Sequence, residues 1–385
     1  MPRRNTWSLD ATSQAVAREV LRRGPLSRAE LARQLHLSGP SVSRIVKPLV
    51  ASGLLLEEGP ARLTRTGRPS VPLRFNERLG LFCGLGIGVD SLQVVVSSVT
   101  GRVLHERDYP LDTGRPEVAV VALAKAIEWA RQREPLTAAV GISIPGIVES
   151  NRIVRRSRRL GWSDVDLVGL LRRETDLSIM VSNDFHALTV AEHWFGFGLE
   201  YESFLALIID GVVGAGVVVN DRLAQESDGR GGLVGHNLVL PGGPVCPQGH
   251  IGCADGLLTR RALAEQFGAA FGRDVSYDEG VALAERGDET SRRVLTRAAE
   301  GLAVLIGELC NLMGHSNVVV TGDGARWVAL VHDQLVADVE ARQIRGDATM
   351  QVDIRCWGPS DWGRAGAIAA IRYCPFMDTS GGSHI

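Results

Sequence analysis

The charge of this chain is divided along its length. Met1 to Arg78 carries fourteen Arg/Lys against six Asp/Glu, a balance of +8, whereas the remaining residues carry 28 basic and 38 acidic groups, a balance of −10. The net charge of −2 for all 385 residues conceals that division. A basic head on an acidic body points to nucleic acid as the head's partner and to something else for the body. The length suits two or three domains with substantial cores. The six Cys are scattered rather than paired, which argues against a disulfide framework and fits a reducing cytosol. The N-terminal run lacks the apolar core of a signal peptide and no stretch reaches membrane-spanning length, so a cytoplasmic protein without a membrane partner is expected.

Within the head, Val16, Val20 and Leu21 recur at helical spacing, and Gly24-Pro25 ends that helix. Ser27-Arg28-Ala29-Glu30 has the form of a capping box and starts a second helix that buries Leu31, Ala32 and Leu35. After a tight turn at Leu37 to Gly39, Ser38 caps a third helix with Pro40 in its first turn. Val42, Ile45, Val46 and Leu49 face inward there, leaving Ser41, Ser43, Arg44 and Lys47 outward. Two short helices, a turn and a third helix with a polar, basic face describe a helix-turn-helix. Leu54 to Glu57 and Val71 to Phe75 then read as strands flanking a basic wing, in which Arg65 and Arg68 suit a minor groove. Pro48 is the discordant residue. Inside a helix it removes a hydrogen bond at a cost of about 3 kcal/mol, so a kink or an early end is expected there.

The body alternates strands and helices. Leu81 to Val89 and Leu92 to Val99 form a hairpin, Val118 to Arg131 a helix, and Ala138 to Ile144 a buried strand entering Pro145-Gly146. Ile179 to Val181 leads into Asn183-Asp184, Phe204 to Ile209 into Asp210-Gly211, and Val318 to Val320 into Gly322-Asp323-Gly324. Strands that end in Gly- or Asp-bearing loops make an α/β domain with its ligand at the strand ends. Between residues 229 and 255 lies a Gly/Pro-broken loop dense in soft-metal ligands: His236, Cys246, His250 and Cys253. Zinc takes four nitrogen or sulfur ligands in a tetrahedron, and such a loop supplies them readily. A metal-free loop held by packing is the alternative.

That loop resembles the signature of the ROK family of repressors and sugar kinases, Glu-x-Gly-His, a spacer, then Cys-x-Cys-Gly-x-x-Gly-Cys-x-Glu. His236, Cys246, Gly249, Gly252 and Cys253 match; Leu233 stands at the family's sugar-binding Glu, Gln248 at the second Cys, and Asp255 at the final Glu. Val140 to Val148, Leu160-Gly161-Trp162 and Asn183-Asp184 match as well, so the resemblance covers nearly the whole chain. It implies a winged helix-turn-helix over residues 1–76 followed, over 77–385, by an actin-like fold of two ribonuclease-H-like lobes around a cleft. Lobe one would take about 77–195 plus a C-terminal helix at about 360–385, and lobe two about 196–359. The implied effector contacts are Arg159 (at a usual Asn), Asn183, Asp184, His236 and Asp255. The implied metal is a structural Zn²⁺ on His236, Cys246 and Cys253, with His250 or water as fourth ligand because Gln248 replaces a Cys.

Family kinases carry Asp-x-Gly-Gly-Thr in the first hairpin, where this chain has Gly86-Ile87-Gly88-Val89-Asp90, and Asp210 opens the second phosphate loop. Phosphoryl transfer needs Gly-lined phosphate turns and an acidic group for magnesium, so kinase activity is not expected. The reading is a sugar-responsive regulator of carbohydrate metabolism, a repressor that binds a palindromic double-stranded operator as a homodimer or tetramer. The acquired Arg159 and lost Glu make an acidic or phosphorylated sugar conceivable. The alternatives are a DNA-binding sugar kinase and a ligand-independent DNA-binding protein.

Overall fold

The computed structural model describes residues 9–59, 71–224, 231–344, 349–356, 358 and 361–372. The head is built from α1 (Ala11–Arg23), α2 (Arg28–Gln34), α3 (Gly39–Ala51) and a two-stranded antiparallel sheet of β1 (Leu55–Glu57) and β2 (Leu73–Phe75). Each helix is started by a side chain that accepts a free backbone N–H: Asp10 from Ser13, Ser27 from Glu30, Ser38 from Ser41. The Ser27–Glu30 capping box is complete in both directions. Val16, Val20, Leu31, Val42, Val46, Leu49, Leu54 and Leu73 form the small core. The early end is corrected: α3 runs through Pro48 to Ala51. Val46 and Leu49, buried on either side, hold the helix in place, and Pro48 itself is exposed.

The chain divides into two compact units, residues 1–199 with 360–385 and residues 200–359. The first unit, beyond the head, contains a five-stranded sheet made by β3 (Leu81–Ile87), β4 (Ser91–Ser98), β5 (Val103–Pro110), β6 (Thr137–Ile144) and, after a small sheet of β7 (Ile147–Glu149), β8 (Ile153–Ser157) and β9 (Trp162–Asp166), β10 (Ser178–Asn183). The order is β10-β6-β3-β4-β5: an antiparallel meander of three strands, with β6 and β10 added in parallel beside β3. Helices α4 (Pro116–Arg133), α5 (Leu167–Leu171) and α6 (Asp184–Phe195) connect these strands or follow them.

Strand alternation sends Cys83, Leu85 and Ile87 toward Leu123 and Ile127 of α4 on one face. The other face is covered by α12 (Asp361–Arg372). There Gly84 lies so close that an added Cβ would stand 1.9 Å from Gly363 O, and one on Gly141 would stand 2.0 Å from Gly366 O. Glycines of the β3–β6 pair thus let a helix rich in Gly and Ala sit directly on the sheet.

The second unit repeats the plan. β11 (Phe204–Ile209), β12 (Val213–Val219) and β13 (Arg222–Leu223) form the antiparallel meander, and β14 (Asn317–Thr321) and β15 (Gln351–Arg355) add in parallel. Its helices are α7 (Ala254–Leu258), α8 (Arg260–Phe271), α9 (Tyr277–Glu285), α10 (Glu289–Met313) and α11 (His332–Glu340). The stripe Leu295, Ala298, Ala299, Leu302 and Ile306 of α10 packs into the same core as Leu205, Leu207, Val318 and Val320 of the sheet. Each unit thus has, by itself, the strand order of the ribonuclease-H-like lobe expected from the sequence. Among the described residues no helix is long and apolar enough to cross a membrane.

Candidate functional site

On α3, Ser43, Arg44 and Lys47 are exposed along one face opposite the buried Val42, Val46 and Leu49. Ser41 is half-buried and bonded to the Ser38 hydroxyl at 2.8 Å, so it serves the cap as well as the surface. A helix placed by caps at one end and apolar anchors beneath presents its cations outward, as reading a major groove requires. Arg65 and Arg68 of the expected wing lie outside the described residues.

In the first unit, β10 runs into α6 at Asn183. The Asn183 side chain accepts from His186 N at 3.0 Å as the helix cap, and its amide donates to Gly146 O at 2.8 Å and to Asp184 Oδ1 at 3.0 Å. Asn183 therefore positions the helix start rather than presenting a free amide. Asp184, 8% exposed, accepts from Phe185 N at 3.0 Å through the same Oδ1. Gly146, at φ 144°, is pressed against the β8 backbone, where a Cβ would meet Arg156 O at 2.6 Å. That contact brings the end of β8 beside the Asn183–Asp184 step, and the exposed Arg159 follows two residues after Ser157. The hairpin glycines have structural partners. A Cβ on Gly86 would meet Gly363 N at 2.7 Å, and one on Gly88 would meet Ser91 Oγ at 2.4 Å.

In the second unit, the loop from Val234 to Asp255 is folded by backbone bridges, Leu238 with Cys253 and Val245 with Ile251. Cys246 N donates to His250 O and Gly249 N to Cys246 O, both at 2.9 Å, with Gly249 at φ +89° closing the turn. Gly252, at φ +70°, leaves no room for a side chain, since a Cβ would lie 1.8 Å from Leu240 O. This knuckle gathers His236, Cys246 and His250, whose ligand atoms all lie within 4.8 Å of one another. Cys246 Sγ stands 3.5 Å from His250 Nδ1, and the two imidazoles are 4.2 Å apart. Cys253 is outside that set, although its Sγ lies 3.8 Å from His236 Nδ1. Ligands around a tetrahedral zinc are separated by about 3–4 Å, so the donor types suit that ion and the Cys246–His250 spacing of 3.5 Å falls in its range.

The electrostatics distinguish the two thiols. Burial pushes Cys246 up, but hydrogen bonds from Gln248 N and from the His250 ring and backbone outweigh it, and the thiol is lowered overall. For Cys253 burial prevails and the thiol is raised. Asp255, 8% exposed, is raised chiefly by burial, against a hydrogen bond from Val213 N at 2.6 Å and the nearby His236. Its Oδ1 is thus committed to the backbone, and Oδ2 stands 3.8 Å from His236 Nδ1. The Val213 bond spans 42 residues and has no signal in the sequence. The Cys246–His250 turn did have one, the Gly at its fourth position.

Fold and motifs together define a class of protein, and the comparison with known sequences agrees with it. The chain belongs to the ROK family, whose model matches residues 82–370, while a MarR family model matches residues 12–62 in the head. It is 23% identical over 341 residues to the xylose repressor of Bacillus spizizenii, covering 88% of each protein. It is 24% identical over 326 residues to the DNA-binding transcriptional dual regulator NagC of Escherichia coli, covering 81% of this chain and 80% of that one. Among solved structures, a ROK family transcriptional regulator described as a homolog of the E. coli MLC protein superposes with a TM-score of 0.78 at 21% identity, over 95% of this chain and 96% of that one. A ROK family glucokinase from Streptomyces griseus, in complex with glucose and AMPPNP, superposes with a TM-score of 0.66 at 22% identity over 76% of this chain and 99% of its own.

Proposed function

We propose that this protein is a sugar-responsive transcriptional repressor without kinase activity, working in the cytoplasm as a homodimer or tetramer on a palindromic operator. The observation that carries the reading is the pairing, in one chain, of a ROK body with a MarR-type head whose α3 exposes Ser43, Arg44 and Lys47. Those residues, with Arg65 and Arg68 of the wing, are the proposed DNA contacts. Arg159, Asp184, His236 and Asp255 are the proposed effector contacts, with Asn183 holding Asp184 in place. The effector would act by population shift, favouring one of two arrangements of the heads.

A structural zinc on Cys246, His236 and His250, completed by Cys253 or water, would brace the loop that carries His236. Its test is elemental analysis of protein purified without chelator. About one zinc per chain is expected, and its loss in Cys246→Ser together with a lower melting temperature; a content near zero in the wild type contradicts the site.

The sugar reading is tested by a thermal-shift panel of pentoses, hexoses, N-acetylated sugars and sugar phosphates, since a ligand of the native state raises stability by mass action. One sugar should raise the melting temperature, and Asp184→Ala should abolish that rise. A second reading, a DNA-binding sugar kinase, draws on the fold shared with the glucokinase and on Asp184 at a helix start. Steady ATP-dependent phosphorylation of any sugar on the panel, lost in Asp184→Asn, would establish it instead.

A further inference from the structure

The last turn of α1, in the DNA-binding head, carries Arg22, a buried arginine with 6% of its surface exposed. Two of its acceptors lie outside the head. Arg22 Nη2 donates to His193 O at 2.9 Å and to Gly198 O at 3.0 Å, and neighbouring Arg23 donates to Leu199 O. His193 belongs to the last turn of α6, where backbone carbonyls lack helical partners and the helix dipole is negative. A guanidinium is the matching cap for such an end.

The acceptor side is built to receive it. Gly198 approaches so closely that a Cβ would lie 2.3 Å from His193 O, so the two carbonyls converge on one nitrogen only because residue 198 has no side chain. The segment between them is held by Phe197 N on the Glu192 carboxylate at 3.1 Å and by Leu199 N on Gly196 O at 3.1 Å. The opposite end of the same helix is the Asn183–Asp184 step. Twelve helical residues, about 18 Å of continuous rod at 1.5 Å per residue, therefore separate the proposed effector contact from the head's anchor.

We propose that Arg22 is the coupling residue of this protein: the position of α6 set at Asp184 is passed to the DNA-binding head through the His193 and Gly198 carbonyls. The inference rests on the reading of Asp184 as an effector contact. A shift of α6 by about an ångström would carry both carbonyls beyond hydrogen-bond range of a fixed guanidinium, so the head must follow or let go. Two ends of one element biased by two sites is the physical form of such coupling. Glu77, the first residue after the head, accepts from Thr100 at 2.9 Å and from Arg102 at 3.0 Å, contacts with the β4–β5 turn and not with α6.

The test uses the full-length protein, spin-labelled at Gln34→Cys in the head and Gln132→Cys on α4, both exposed, with Cys356 and Cys374 replaced by Ser. Pulsed electron-resonance distances should give one narrow distribution when Arg22 is present. Arg22→Met, which removes the donors, and Gly198→Ala, which displaces the acceptors, should each widen it at least about twofold. Arg22→Lys, with charge but no planar fork, serves if Arg22→Met does not fold. Distributions unchanged in the folded variants overturn the proposal. A second arm uses D-xylose and N-acetyl-D-glucosamine as probes. Where either changes wild-type operator affinity, Arg22→Met should bind it with unchanged Kd by calorimetry and show less than a tenth of the change in operator affinity. A variant that keeps the full change overturns the coupling. A wild type that answers neither probe counts against the sugar reading alone, and the distance measurement still decides Arg22.

Discussion

Helix α3 and the loop from Val234 to Asp255 are both short segments proposed to carry function, and they are made by different physics. α3 is defined locally: Ser38 caps it, Val42, Val46 and Leu49 anchor it, and the exposed residues follow from a period of 3.6. The loop has almost no regular structure, and its geometry comes from backbone bridges, three left-handed glycines (Gly242, Gly249 and Gly252) and a carboxylate bonded to a strand 42 residues earlier. A function built on a helix face tolerates changes between its anchors. A function built on a loop depends on single positions that admit one residue type.

The largest effect expected from that contrast is at Gly252. Gly252→Ala forces a side chain into Leu240 O and retains a left-handed φ, so a loss of at least about 3 kcal/mol is expected. In a unit of this size that is a fall of roughly 6–12 °C in melting temperature. Gly249 has a similar φ but open space around it, and Gly249→Ala should cost only about 1–2 kcal/mol. Equal melting temperatures for the two variants would break the argument from crowding.

A moderate effect is expected on α3. Arg44→Ala should weaken operator binding by about 1–3 kcal/mol while leaving the melting temperature within about 1 °C, because the side chain is exposed and away from the core. If Arg44 contacts phosphate rather than a base, the loss will be uniform across sequences and the salt slope will fall by about one. A large loss of stability would place Arg44 in the fold rather than at DNA.

The smallest effect concerns the capping box. Glu30 is held below its usual carboxylate value, first by the hydrogen bond from Ser27 N and then by the Ser27 hydroxyl. A lowered folded-state value stabilises the head above the unfolded-state value of 4.5, and the contribution is lost as pH falls through the lower folded-state value. Ser27→Ala should cost about 1 kcal/mol at neutral pH, and the difference from wild type should shrink below pH about 4. A difference that grows on acidification would reverse the sign and refute the box as its source.

How much of this was legible follows the same line. Caps, the buried face of α3 and the strands that enter Asn183 and Asp210 carry local signals, and so does the family pattern at His236, Cys246 and Cys253. The passage of α3 through Pro48 was not legible, because packing at Val46 and Leu49 outweighs a local penalty. Nor was the role of Asn183, whose side chain is spent on capping α6 and on Gly146 O. Gly84 and Gly141 read as strand glycines, and only the helix at residues 361–372, more than 200 residues later, shows why they must be small. His250 joined the metal group because the Gly249 turn folds it back beside Cys246, a geometry that ligand spacing alone does not determine.

The most direct test of the central claim is selection of DNA from a random duplex pool by the full-length protein, followed by fluorescence-anisotropy titration of the selected sequence with and without the sugar that scores in the thermal-shift panel. The account predicts enrichment of a two-fold symmetric sequence, bound with a steep inverse dependence on salt, and an affinity that the sugar changes at least about tenfold in the wild type but not in Asp184→Ala. Failure to enrich any sequence, or a sugar response that persists undiminished in Asp184→Ala, would contradict it.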